Sequence, residues 1–146
     1  MGLNAEVLRT SFALIAEREP SVTHRFYENL FADYPQAKPL FHLDRIAAQE
    51  RMLGEALAAV LDHLEDAPWL TTTLGSLGEK HIGYGVTPEM YQWVGATLLK
   101  TFAQVAGADW TRETEAAWSA AYGAIVGLML GGTKAATETA HAAPPT

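Results

Sequence analysis

The chemistry open to this chain rests on few residue types. Its 146 residues include five histidines and no cysteine. Without thiols there are no disulfides, thiolate metal sites, iron–sulfur clusters or cysteine nucleophiles. Histidine is left as the main group for metal or acid–base work. His24, His63 and His141 stand in polar or tail contexts and read as surface residues, while His42 follows Phe41 in a turn and can face either way. His81 differs, closing a stretch that carries Leu74, Leu77 and Lys80 and preceding Gly83 and Gly85. No HxxxH or HExxH spacing occurs, so a zinc site built by the chain alone is poorly supported. A lone helical histidine is ordinarily structural or superficial. One imidazole does suffice when a porphyrin supplies four nitrogens and the protein only an axial ligand.

The elements that must position these residues read as helices. Asn4 suits the N-cap of a first helix with Val7, Leu8, Phe12 and Ile15 at helical spacing. Pro20 and Ser21 open a second, with Phe26, Tyr27, Leu30 and Phe31 on one side, and Pro35 and Pro39 shape a turn ending at Phe41. A third runs from about Ile46 to Leu64 along the stripe Leu53, Ala56, Leu57, Val60, Leu61, Leu64. Asp66, Pro68 and the threonines 71–73 are expected to interrupt the pattern before a shorter helix reaches His81. Thr87-Pro88-Glu89 is a strong start for the next helix, reaching about Val105. The last spans about Thr111 to Leu130, with Gly131-Gly132 expected to end or fray it. The reading is an all-α chain of six or seven helices: one domain over 1–133, then a flexible tail over 134–146 poor in large apolar residues.

Composition narrows the function classes. The chain is 49% hydrophobic and 18% charged, which reads as a soluble globular domain large enough to bury a core. A formal charge of -7 argues against nucleic acid and anionic membrane as partners. No apolar run reaches the length of a membrane span, and the N-terminus shows no basic region followed by an apolar stretch. A cytoplasmic location is expected.

Three segments carry a family resemblance: RFYENLFADYPQAKPLF (25–41), GEKHIGYGVTPEMYQWVGATLL (78–99) and AAWSAAYG (116–123). In this order and at these separations, the chain resembles the bacterial single-domain globins and the globin domain of flavohaemoglobins over roughly residues 4–132. The resemblance implies a globin fold packed around one haem b. It places His81 as proximal iron ligand, Phe41 against the porphyrin, Tyr27 and Gln49 as distal residues, and Leu53 above the iron. Val86, Tyr91, Val94 and Leu98 would line the rest of the pocket, though ordinary core packing is equally compatible with them. Taken alone, Tyr27 reads as a core tyrosine and Gln49 as a surface glutamine. The Gln49 register competes with Ala48 and Met52. In a haem pocket the phenol and the amide are donors suited to dioxygen, which gains negative charge on ferrous iron.

The implied function is reversible dioxygen binding at ferrous iron, for storage, delivery or scavenging, with carbon monoxide and nitric oxide as further small ligands. An alternative is nitric oxide dioxygenation with an external reductase; a weaker one is a haem-based gas sensor. Monomer and homodimer both remain open. One departure from the flavohaemoglobin pattern matters. The glutamate expected fifteen residues after Trp118 falls on Thr133. His81 is therefore expected to find no carboxylate, its non-ligating N–H going instead to the Leu77 carbonyl one turn earlier.

Overall fold

A computed structural model describes residues 4–142, with side chains through Gly131. It has six α-helices: α1 (Ala5–Arg18), α2 (Val22–Asp33), α3 (Ile46–Asp62), α4 (Ala67–Gly83), α5 (Pro88–Ala106) and α6 (Arg112–Ala142). Short 3-10 turns fill Pro35–Leu40, Leu43–Arg45 and Gly107–Asp109, and no strand occurs among the described residues. None of the described helices is long and apolar enough to cross a membrane.

Local signals account for most boundaries. The Asn4 side chain accepts from Val7 N–H, and the Asp66 side chain caps α4 by accepting from Trp69 N–H. Pro68 falls in the first turn of α4, where its missing N–H costs no helical bond. The threonines 71–73 therefore do not interrupt the chain: they lie inside one 17-residue helix leading to His81. Threonine has a modest helical cost, which the buried Leu74 and Gly78 on the inner face of α4 outweigh. Gly85, at a φ of 85°, turns the chain towards α5. At the far end, α6 continues past Gly131-Gly132 to Ala142 instead of stopping there. A glycine costs a helix only about 1 kcal/mol relative to alanine, and good helix formers flank the pair. Of the expected tail over 134–146, residues 134–142 lie on α6 and 143–146 fall outside the described residues.

Two cores result. The larger joins α1, α2, α3, α5 and α6 through Leu8, Ile15, Phe26, Leu30 and Phe102, with the Trp118 ring 4.9 Å from that of Phe102. The smaller lies under α4 and is built on Leu74, Tyr91 and Met129. α3 packs mainly on α2 and α1, with Val60 reaching the smaller core, whereas α4 packs mainly on α6. The helix carrying Gln49 and the helix carrying His81 are thus held by different partners.

Candidate functional site

The resemblance places a haem crevice between α3 and α4, one wall of which would come from α2, α3 and the turn between them. Tyr27 is 4% exposed and sits among aromatic rings: Phe26 at 4.9 Å, Phe41 at 5.4 Å and Phe31 at 5.9 Å between centroids. The Gln49 amide nitrogen donates to the Tyr27 hydroxyl at 3.1 Å. The phenol oxygen thus accepts from Gln49, and its own proton remains free to donate elsewhere. Burial, partly offset by the Gln49 bond, pushes the Tyr27 pKa up to about 12, so the donor stays neutral. Among Ala48, Gln49 and Met52, it is Gln49 whose side chain bonds to Tyr27. Leu53 follows on α3, half-buried against the larger core.

The opposite wall is α4. His81 is half-buried, and its Nδ1 lies 2.7 Å from the Leu77 carbonyl oxygen. The carbonyl can only accept, so Nδ1 carries the proton and Nε2 keeps its lone pair for a ligand-binding role. Among the described residues, no Asp or Glu side chain bonds to this ring. Tyr91 stacks alongside it at 6.1 Å and Tyr84 meets it edge-on at 5.9 Å. Burial raises the Tyr91 pKa. Val86 and Val94 are half-buried, Val94 with the larger core and Val86 with the smaller. The structure thus brings Tyr27 into contact with Gln49 and Phe41, and separately His81 with Tyr91.

A model of the family described as Globin matches residues 24–129, spanning every residue of both walls. The chain belongs to the globin family. It is 31% identical over 118 residues to the flavohemoprotein of Vibrio cholerae, covering 80% of this globin but 30% of that protein. This globin therefore spans less than a third of that relative's length. A bacterial globin from Campylobacter jejuni superposes with a TM-score of 0.78 at 24% identity, covering 92% of this chain and 96% of that one. A carbene transferase engineered from a candidate nitric oxide dioxygenase of Rhodothermus marinus has a TM-score of 0.76 at 26% identity, with 96% of both chains covered.

Haem b is the cofactor of the globins, and the chemistry of the residues present suits it. Four large hydrophobic side chains are left exposed among the described residues: Leu43, Met52, Ile82 and Tyr84. Each lies within three positions in sequence of Phe41, Gln49 or His81, the residues that the resemblance assigns to the haem. The described residues hold no group of three or more His, Cys, Asp or Glu able to bind a metal alone. A single imidazole with a free Nε2 matches a metal that brings four ligands with it.

Sequence reasoning missed several supports of this globin's site. The Tyr122 hydroxyl donates to the Tyr91 backbone carbonyl at 2.6 Å and fixes the start of α5. Its ring lies so close to Gly95 that an added Cβ would fall 2.5 Å from it. His63, read as superficial, donates from Nδ1 to the Ala59 carbonyl at 2.7 Å and stacks 3.8 Å from the Trp69 ring. His24, also read as a plain surface residue, pairs with Glu50 at 2.8 Å. The Tyr122 and His24 contacts join separate helices, and no local spacing announces them; the His63–Ala59 bond is an i−4 contact of the same local kind as that of His81.

Proposed function

We propose that this globin holds haem b through Nε2 of His81 and binds dioxygen reversibly in the crevice, with Tyr27 and Gln49 as the distal donors. The observation that carries this reading is the bond from the Gln49 amide to the Tyr27 hydroxyl. Haem b, when bound, supplies an iron with an open sixth position for a diatomic gas. The residues do the rest. Gln49 orients the phenol and leaves its proton free, and the aromatic rings around Tyr27 exclude water from that donor. A ligand that gathers negative charge there meets a neutral, preorganised O–H. On the other wall, a carbonyl partner for His81 keeps the imidazole neutral and a moderate donor, which favours holding a gas over cleaving its O–O bond.

A second reading is nitric oxide dioxygenation. The likeness to flavohemoproteins and to the Rhodothermus marinus protein favours it, and the electrons would come from an external reductase. Absorption spectra in the ferric, ferrous and carbon monoxide-bound forms test the haem assignment; spectra without a five-coordinate ferrous form would overturn it. Nitric oxide consumption with and without a flavin reductase then separates the two readings. Sustained turnover only with reductase favours the second, and reversible oxygenation without turnover favours the first.

A further inference from the structure

The contact between α2 and α3 has two polar rungs. The inner one is Tyr27–Gln49, and the outer one is His24–Glu50, with His24 Nδ1 2.8 Å from Glu50 Oε2. The rungs are adjacent in both helices: His24 is three residues before Tyr27 on α2, and Glu50 directly follows Gln49 on α3. The Glu50 side chain is 16% exposed, well shielded for a carboxylate, while that of His24 is 56% exposed and can exchange protons with solvent.

We propose that His24 is a positioning residue of the distal pair, forming with Glu50 a proton-sensitive outer rung that sets how firmly Tyr27 and Gln49 are held towards the ligand. This rests on the dioxygen-binding reading above. The groups facing His24 are Glu50 from α3, Glu28 from its own helix at 3.6 Å, and Glu19 from the end of α1, which is itself paired with Arg25 at 3.8 Å. All three carboxylates favour the imidazolium, and the bond to Glu50 contributes most to raising the His24 pKa above its ordinary 6.5. The sign follows. The charged rung is fully present below pH 6.5 and is lost as pH rises through the higher value of the folded protein. Glu50 also acts electrostatically on Tyr27. Deprotonating His24 therefore loosens the α2–α3 contact and leaves a negative charge uncompensated near the pocket. Both effects weaken the hold on an electron-rich ligand.

The test is the dioxygen dissociation rate of the haem-loaded full chain between pH 6 and 9, read beside the NMR resonance of the Gln49 side-chain amide in the carbon monoxide-bound form. The rate should rise with pH by about two- to three-fold, the scale of a partly exposed charge pair, and the amide should shift along the same curve. His24→Gln and Glu50→Gln keep neutral hydrogen-bonding groups and should flatten both curves, whereas Glu28→Gln should keep most of the slope. A flat native profile, or a slope that survives His24→Gln, overturns the proposal. If Tyr27→Phe and Gln49→Ala change dissociation while His24→Gln keeps the native slope, only this inference fails. If those two substitutions change nothing, the distal reading beneath it fails as well.

Discussion

The two walls of the crevice are built by different means. On the α2–α3 side the decisive contacts run from side chain to side chain: Gln49 to Tyr27, His24 to Glu50, and Asn29 of α2 to Thr101 and Gln104 of α5. On the α4–α6 side the backbone is nearly always one partner. His81 is oriented by the Leu77 carbonyl, Tyr122 holds the Tyr91 carbonyl, and Gly78 approaches the Met129 backbone so closely that an added Cβ would fall 2.0 Å from its oxygen. The wall that would meet the gas can thus be altered one side chain at a time. The wall that would hold the metal is locked by close helix packing.

This contrast can be broken experimentally, starting with the largest effect. His81→Ala should abolish stable haem binding, measured as haem retained through gel filtration, because no other described histidine replaces it on α4. Next come two glycines of opposite character. Gly78→Ala forces α4 off α6 and should cost stability in the range of overpacked cores, about 1–3 kcal/mol, read from the denaturant midpoint. Gly54→Ala on α3 meets only the Thr23 methyl at 3.6 Å, an ordinary contact. It should be neutral or stabilise by roughly 0.5–1 kcal/mol, the helical cost of glycine. Equal losses at both positions would erase the contrast between the walls.

Smaller effects probe the distal wall alone. Tyr27→Phe should raise the dioxygen dissociation rate by about ten-fold or more, since a hydrogen bond to a charged acceptor is worth about 1.5–3 kcal/mol. Gln49→Ala should act in the same direction but less, because Gln49 works partly through Tyr27. Stopped-flow measurement of both rates gives the order, and a reversed order would make Gln49 the primary donor. The last effect is alkaline. With its pKa held near 12 against an ordinary 10, folded Tyr27 keeps its proton longer than the unfolded chain does. That contribution is complete below pH 10 and is lost as pH rises through about 12. Tyr27→Phe should lose less stability across that window in urea titrations.

What the sequence made legible follows the range of the forces involved. The bond from His81 to Leu77 was readable because an i−4 carbonyl lies where a helical histidine projects, and no long-range fact was needed. Asn4 and the proline at the start of α5 were readable for the same local reason. The pairing of Tyr27 with Gln49 was reachable only through family resemblance, because 22 residues separate them. The threonines inside α4 misled because propensity favours a break there, while burial against α6 decides the outcome. Gly131-Gly132 misled similarly, an intrinsic penalty being taken for a stop. His24 and Tyr122 left no local trace, since their partners stand 26 and 31 residues away.

The partner of His81 bears on how this protein can evolve. A carboxylate against the proximal imidazole would be a side chain, and a single codon change could delete it. The Leu77 oxygen belongs to the main chain and survives every substitution at that position that keeps α4 helical. Mutation can therefore add a competitor for the imidazole N–H but cannot easily subtract the existing partner. Lineages carrying this arrangement can strengthen the push on the metal by gaining an acid nearby and have little means to weaken it. Adaptive variation should accordingly accumulate on α2 and α3, where a single replacement would reset the proposed hold on a gas and leave the proposed anchor of the metal intact.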